Sequence, residues 1–346
     1  MPPRTWMLFI PALAILETTT SFPAAAQAKK QSAGTIVFIH APDGGAPWPV
    51  EDVYSMDADG TNVKALTNDG HSHTPSWSPD GRRILFIHDS ILGSRPPYRE
   101  PEGFESYHPV ELYMVNKDGT NRHLLRRLEP VIYSAAWSPD GKTLAITCIT
   151  EALKNRPHAA DEQMQDGLFL LPANGKGELR LLFRSAFTPS WSPDGKKLAF
   201  SLEQPRGQWA VHVANSDGSN NMQLTEPPLM AGSPAWSPDG KMIAFDQFAA
   251  QRDQQIFVMG TDGSHRRQVT NDSDWSCNHP SWSADGRRLV FSCRSAWSPC
   301  GGISSVGTVL PECARRLFSV SLLDLHAKPI QLSERDGAAP AFAPIR

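Results

Sequence analysis

Neither sign of charge dominates this 346-residue sequence: 33 basic residues stand against 36 acidic ones, for a net charge of -3. No clustered basic patch is therefore expected to hold nucleic acid or an anionic membrane surface. Past the N-terminus no stretch is long and apolar enough to span a bilayer as a helix. The Gly-x-Ser-x-Gly elbow of serine hydrolases is absent. The "GKG" at Gly175 to Gly177 lacks the other positions of a phosphate loop. Cysteine is scarce, with Cys148, Cys277, Cys293, Cys300 and Cys313 making the full set. Proline and glycine, by contrast, are plentiful at 30 and 25 residues, a composition that suits many short strands joined by tight turns.

The first residues read as an export leader. "MPPRTWMLFIPALAIL" carries one early Arg and a short apolar core interrupted by Pro11 and Glu17. Ala26-Gln27-Ala28 then fits the small-x-small cleavage rule, so residues 1–28 are expected to be a signal peptide. The propeller domain described next is expected to fill 29–346, in a periplasmic or secreted protein. In that compartment cysteines pair by default.

The rest of the chain repeats. "PSWSPDGRRILF" from Pro75 returns as "AAWSPDGKTLAI" at Ala135, "PSWSPDGKKLAF" at Pro189, "PAWSPDGKMIAF" at Pro234 and "PSWSADGRRLVF" at Pro280. The anchoring aromatics are Trp77, Trp137, Trp191, Trp236 and Trp282, and Phe342 takes the same place in the shortened "PAFAP". Each copy is followed by an apolar run, an Asp/Asn/Gly turn and a polar run ending near Leu-Thr, as in "VYSMDADGTNVKALT" from Val53, which is a β-hairpin signature. In "SPDG", Pro presets φ, Asp bonds the turn locally and Gly takes the left-handed position. One unit is therefore four strands, A to D, and repeated four-stranded sheets make a β-propeller. The chain ends with a strand A at Phe342 and opens with a strand B at "GTIVFIH". The C-terminal strand A is expected to join the N-terminal strands B, C and D, closing an all-β ring of six blades. A closed ring has every edge paired, so a monomer is expected.

The repeated "PSWSPDG" and "DADGTN" pattern resembles the TolB-type propeller family. That resemblance implies the fold and a habit of binding protein partners. TolB itself has an α/β domain ahead of its propeller, and only a few residues stand here between Ala28 and the first strand, so the Tol-Pal role is not carried over whole.

Strand order puts the short A–B and C–D turns on one rim and the B–C and D–A loops on the other. The elaboration is all on the second rim: insertions at His88 to Glu111, Thr147 to Gly167 and Ser292 to Arg316. Binding residues concentrate on such loops. The same rim is expected to carry His71, His73, His279, Asp272, Asp274 and Trp275 around the channel mouth. Two His two residues apart on a strand share a face and can share a metal. His279 is expected in the blade adjacent to that of His73. The simpler reading is that these histidines are polar channel-lining groups hydrogen-bonded to loops.

For the cysteines, a three-residue loop from Ala284 to Gly286 sets Cys277 opposite Cys293 and predicts a disulfide. Cys300 and Cys313 are expected to staple the insertion holding both, and Cys148 to stay a small buried thiol. The rival is a metal site of Cys277, His279 and Cys293. "AWSPCGG" at Ala296 mimics the repeat but leaves no room for a blade.

The expected function is a binding platform for a protein or peptide, without a cofactor. The alternative is a metal-dependent carbohydrate-active enzyme. Oligogalacturonate lyases, whose propeller repeat is similar, place a metal-binding His-x-His and a Gln just before such a strand. That resemblance implies a divalent metal at His71, His73 and His279, with Asn68 in the place of the Gln and His73 one residue further from the Pro.

Overall fold

The computed structural model describes residues 34–40, 51–89, 110–128, 130–150, 166–226, 230–248, 253–295, 315–324, 327–333 and 337–344. Residues 1–33, which hold the expected leader, lie outside the described residues. The described residues are all-β, and none of their segments is a helix long and apolar enough to cross a membrane.

Among the described residues, twenty-four strands form six four-stranded antiparallel sheets. Blade one joins the two ends of the chain: β24 (Ala338–Phe342) pairs with β1 (Thr35–His40), followed by β2 (Asp52–Asp57) and β3 (Lys64–Ala65). Blade two is β4 (Ser72–Trp77), β5 (Arg83–Asp89), β6 (Val110–Asn116) and β7 (His123–Leu128). Blade three is β8 (Pro130–Trp137), β9 (Thr143–Thr150), β10 (Asp166–Pro172) and β11 (Arg180–Arg184). Blade four is β12 (Ala186–Trp191), β13 (Lys197–Gln204), β14 (Gln208–Asn215) and β15 (Met222–Gln223). Blade five is β16 (Ala231–Trp236), β17 (Met242–Phe248), β18 (Gln254–Gly260) and β19 (Arg267–Gln268). Blade six is β20 (Trp275–Trp282), β21 (Arg288–Ser295), β22 (Arg316–Ser321) and β23 (Ile330–Gln331). The first strands of successive blades touch one another around the ring, which makes them the innermost. Closure by the C-terminal strand is as the repeat predicts.

The aromatic anchors pack between neighbouring sheets. Trp77, Trp137, Trp236, Trp282 and Phe342 are buried, and Trp191 is half-buried. The indole N–H of Trp77 donates to the Ala341 carbonyl, that of Trp191 to Ala136 and that of Trp282 to Ala235, each in the innermost strand of the preceding blade. Serine supplies a turn contact that the motif reading left to Asp and Gly. Ser78 Oγ donates to Asp80 Oδ1 at 2.6 Å and accepts the Arg83 N–H at 2.9 Å, and the same pair recurs in the other full copies. The Leu-Thr ending is also a fastener, for Thr67, Thr225 and Thr270 hydroxyls each accept an N–H from the third strand of their blade, at Val53, Val211 and Ile256.

Five innermost strands share a bulge. Thr74-Pro75, Thr188-Pro189, Ser233-Pro234, His279-Pro280 and Ala339-Pro340 each oppose a single phenylalanine, respectively Phe86, Phe200, Phe245, Phe291 and Phe38. The residue before each proline has a left-handed φ, between 45° and 53°. A non-glycine residue held there costs about 1–3 kcal/mol, so the surrounding sheet imposes it. Blade three, with no proline there and Ile146 in place of the phenylalanine, slips its register at Tyr133 instead.

This bulge corrects the route to the disulfide. The turn is four residues, Ala284 to Arg287, closed by Ser283 and Arg288, where three were expected. Trp282 consequently pairs with Leu289, and on that register Cys277 would miss Cys293. The extra residue at His279-Pro280 restores the match, and Cys277 and Cys293 are bonded with Cα atoms 4.1 Å apart. Cys148 is a free, buried thiol whose pKa burial pushes up to about 12, which leaves it unreactive. Cys300, Cys313 and the "AWSPCGG" segment lie outside the described residues. The insertions are narrower than expected, because pairing continues through Asp89↔Val110, Ile149↔Asp166 and Cys293↔Arg316. Their interiors, 90–109, 151–165 and 296–314, are outside the described residues.

Candidate functional site

The D–A loop that leads into blade two delivers Asp69 to a half-buried polar cluster. Asp69 Oδ1 accepts the His71 N–H at 3.1 Å and the Ser72 hydroxyl at 2.9 Å. Its Oδ2 pairs with Arg122 and lies 3.6 Å from His88 Nδ1. Arg122 is held flat over Phe86 and Tyr113, 5.2 and 4.7 Å from the ring centres. Burial alone would raise the Asp69 carboxyl, but the bonds from Arg122, His71 and Ser72 outweigh it and hold the group below the ordinary carboxylate range. Burial lowers His88 against the pull of Asp69.

His71 and His73 engage different partners. The His71 ring meets the His88 ring edge-on at 6.2 Å, and its buried Nδ1 has no hydrogen-bond partner. His73 has Nε2 3.4 Å from Asp89 Oδ2 and Nδ1 2.9 Å from Thr74 Oγ1. His279 is not in an adjacent blade. From Trp77 to Trp282 is four blades, and blade one, closed by β24, stands between them. The adjacency expected from the sequence counted one blade too many. Among the described residues no three His, Cys, Asp or Glu side chains gather where they could hold a metal ion.

Asp272, Asp274 and Trp275 form the loop entering β20. Asp272 and Asp274 are exposed, and Asp272 Oδ1 accepts the Asp274 N–H at 2.9 Å. Gln255 of blade five ties the loop down by donating to the Asp272 and Trp275 carbonyls at 3.2 and 2.7 Å. Trp275 packs edge-on against Phe318 of its own blade at 5.2 Å, beneath Arg316, so the structure brings it to the core of blade six and not to the histidines.

His279 belongs instead with a residue the motif reading passed over. Its backbone N–H donates to Asp246 Oδ2 at 3.1 Å across the blade five to blade six junction. Asp246 is 3% exposed in β17. Burial pushes its carboxyl up, partly offset by the charge of His279 and a bond from Ser233. Burial likewise lowers His279, against the attraction of Asp246 and with repulsion from Arg315. His279 as a whole is half-buried, and its Nδ1 is buried and unpartnered.

Asp246 is among the residues lining a cavity of about 270 Å³ between blades four and five. Phe187 and Trp209 are among its walls, meeting edge-on at 5.1 Å, and Tyr133 extends the aromatic row at 5.3 Å from Phe187. A signal for this site does exist in the sequence. The residue after the buried Phe or Ile of the second strand is Ile39, Ile87, Thr147, Ser201, Asp246 and Ser292 around the ring, and only one of these is charged. An ionisable group in a strand read as buried on both faces asks for a partner or a ligand.

A family model described as the TolB beta propeller domain matches residues 89–299. The Tol-Pal system protein TolB of Anaeromyxobacter dehalogenans is 29% identical over 118 residues, which cover 34% of this chain and 24% of that protein. Among solved structures, TolB from Acinetobacter baumannii has a TM-score of 0.64 at 17% identity, covering 91% of this chain and 67% of that one. A putative TolB from Agrobacterium tumefaciens has a TM-score of 0.62 at 17% identity, covering 88% and 91%. These structural likenesses speak for the fold alone. The match spans about a quarter of the length of the curated TolB proteins.

Proposed function

The chain belongs to the TolB β-propeller domain family, and from that premise we propose that it is an exported binding platform whose loop-rich rim engages a protein or peptide partner. The observation that carries the reading is the placement of elaboration. The paired strand ends at Asp89 and Val110, Ile149 and Asp166, and Cys293 and Arg316 put the attachment points of all three long insertions on one rim, while the described "SPDG" and "DADG" type turns of the opposite rim are tight. A rigid ring with variable loops on one side is how binding sites are commonly built. The name of the curated relatives, Tol-Pal system protein, supports a protein partner over a small molecule. The leader-like N-terminus and the Cys277–Cys293 disulfide support a location in the cell envelope outside the reducing cytosol.

The test is cross-linking mass spectrometry on the exported protein, with the wild type beside a variant whose 90–109, 151–165 and 296–314 segments are replaced by two-residue turns. Specific cross-links are expected on the loop-rich rim and are lost in the variant. Cross-links that persist in the variant, or that fall on the "SPDG" rim, overturn the assignment.

A further inference from the structure

The cavity between blades four and five is opened by a missing side chain. Gly232 pairs directly with Asp246, and a Cβ there would lie 3.4 Å from Ser201 Oγ and 3.5 Å from Asp246 Oδ1. The four other innermost strands with the same bulge carry His73, Phe187, Asn278 and Ala338 at this position. The Gly232 backbone is not in the left-handed region, so glycine is not there to satisfy a turn. Its effect is to leave room beside the carboxyl group.

That carboxylate is fixed and underemployed. The His279 backbone N–H holds Oδ2 at 3.1 Å. Towards the cavity, Gln254 Nε2 reaches Oδ1 only at 3.5 Å, the limit of a hydrogen bond. The lining includes Phe187, Trp209 and Phe248, together with Thr188 and Ser201, whose hydroxyls bond each other at 2.8 Å. None of the described residues lining the cavity is basic, and the described charge partner of Asp246 is His279, across the blade five to blade six junction. The volume is near the low end for small-molecule pockets and suits a side-chain-sized group. Aromatic walls over a buried carboxylate attract a cation twice, through the ring quadrupoles and through the charge.

We infer that this cavity binds an alkylammonium group, with the ammonium on Asp246 and its methylene stem against Phe187 and Trp209. Such a group is carried by a lysine side chain on a peptide or by a free diamine. The site needs none of the three insertions, so it stands or falls separately from the loop-rim reading.

Isothermal titration calorimetry on the full chain tests it with three probes: cadaverine, a capped Gly-Gly-Lys-Gly-Gly peptide and the same peptide with an acetylated lysine. At least one amine is expected to bind below about 1 mM and the acetylated peptide is not. Cadaverine alone binding identifies a free diamine as the source, and the lysine peptide alone identifies a peptide. Asp246→Asn is expected to weaken binding roughly tenfold or more. Gly232→Leu, which fills the cavity while leaving the carboxylate, is expected to abolish it and serves if Asp246→Asn fails to fold. The inference is overturned if neither amine binds, if the acetylated peptide binds as well as the free one, or if either folded variant binds like the wild type.

Discussion

Replacing Phe342 by Ala tests whether the last strand holds the ring together. Phe342 is 8% exposed and packs against Ile36, Met56, Val290 and Leu317, which come from both blades at the seam. Its backbone N–H donates to Ser281 Oγ in blade six at 3.2 Å, and the preceding Ala341 carbonyl accepts from Trp77 in blade two at 3.2 Å. A Phe→Ala change in a core costs about 3–5 kcal/mol, from lost burial and the cavity left behind. For a domain of this size that corresponds to a fall in Tm of about 6–20 °C. Circular dichroism melts supply the assay, with Leu323→Ala as an exposed control, since Leu323 is 73% accessible. Limited proteolysis should in parallel release fragments from both chain ends, because β24 and β1 depend on each other. A Tm within about 2 °C of the control would refute the idea that this side chain closes the ring.

Other expectations concern charge and covalent bonds. Replacing Cys277 and Cys293 by Ala should cost about 3 kcal/mol in denaturant unfolding, given their separation of 16 residues, and reductant should shift the wild type but not the variant. The turn carboxylates Asp80, Asp140, Asp194 and Asp239 are held below the ordinary range, chiefly by the Ser hydroxyl two residues earlier. Their stabilisation is present above the unfolded carboxylate pKa and is lost as pH falls through the folded values, so an Asn variant at all four should show a flatter loss of Tm in acid. Asp246 is shifted the other way, raised by burial, so stability falls as pH climbs from the ordinary carboxylate range to its folded value, and Asp246→Asn should gain on the wild type across that window. Elemental analysis of the purified protein is expected to find no stoichiometric metal. One ion per chain, lost on His73→Ala, would replace the platform reading with the carbohydrate-enzyme one.

The ring was legible because its determinants are local and repeated. A tryptophan before "SPDG" and a hairpin after it need only short-range chemistry, and a strand A at one end with strands B, C and D at the other leaves one way to close. What the sequence hid depends on residues that meet only after closure. The slip at His279-Pro280 is not written in the turn beside it, so the Cys277–Cys293 pairing was reached through a loop one residue too short. Phe187 and Trp209 belong to a different blade from Asp246, and their common cavity is a property of the interface. Asp246 itself was a readable anomaly in an apolar strand. The neighbouring His-Ser-His drew attention because it looks like a ligand set, whereas its two imidazoles are engaged by His88 on one side and by Asp89 and Thr74 on the other.

The pre-proline bulge has an evolutionary side. Because its first residue is excused from the ladder, Thr74, Thr188, Ser233, His279 and Ala339 differ freely while the paired residues around them keep their register. Five of the six blades thus offer a position at which the side chain varies while the sheet on either side keeps its pairing. A substitution at one of these positions is therefore confined to its own blade, and the strand pairing on either side of the bulge carries it unchanged.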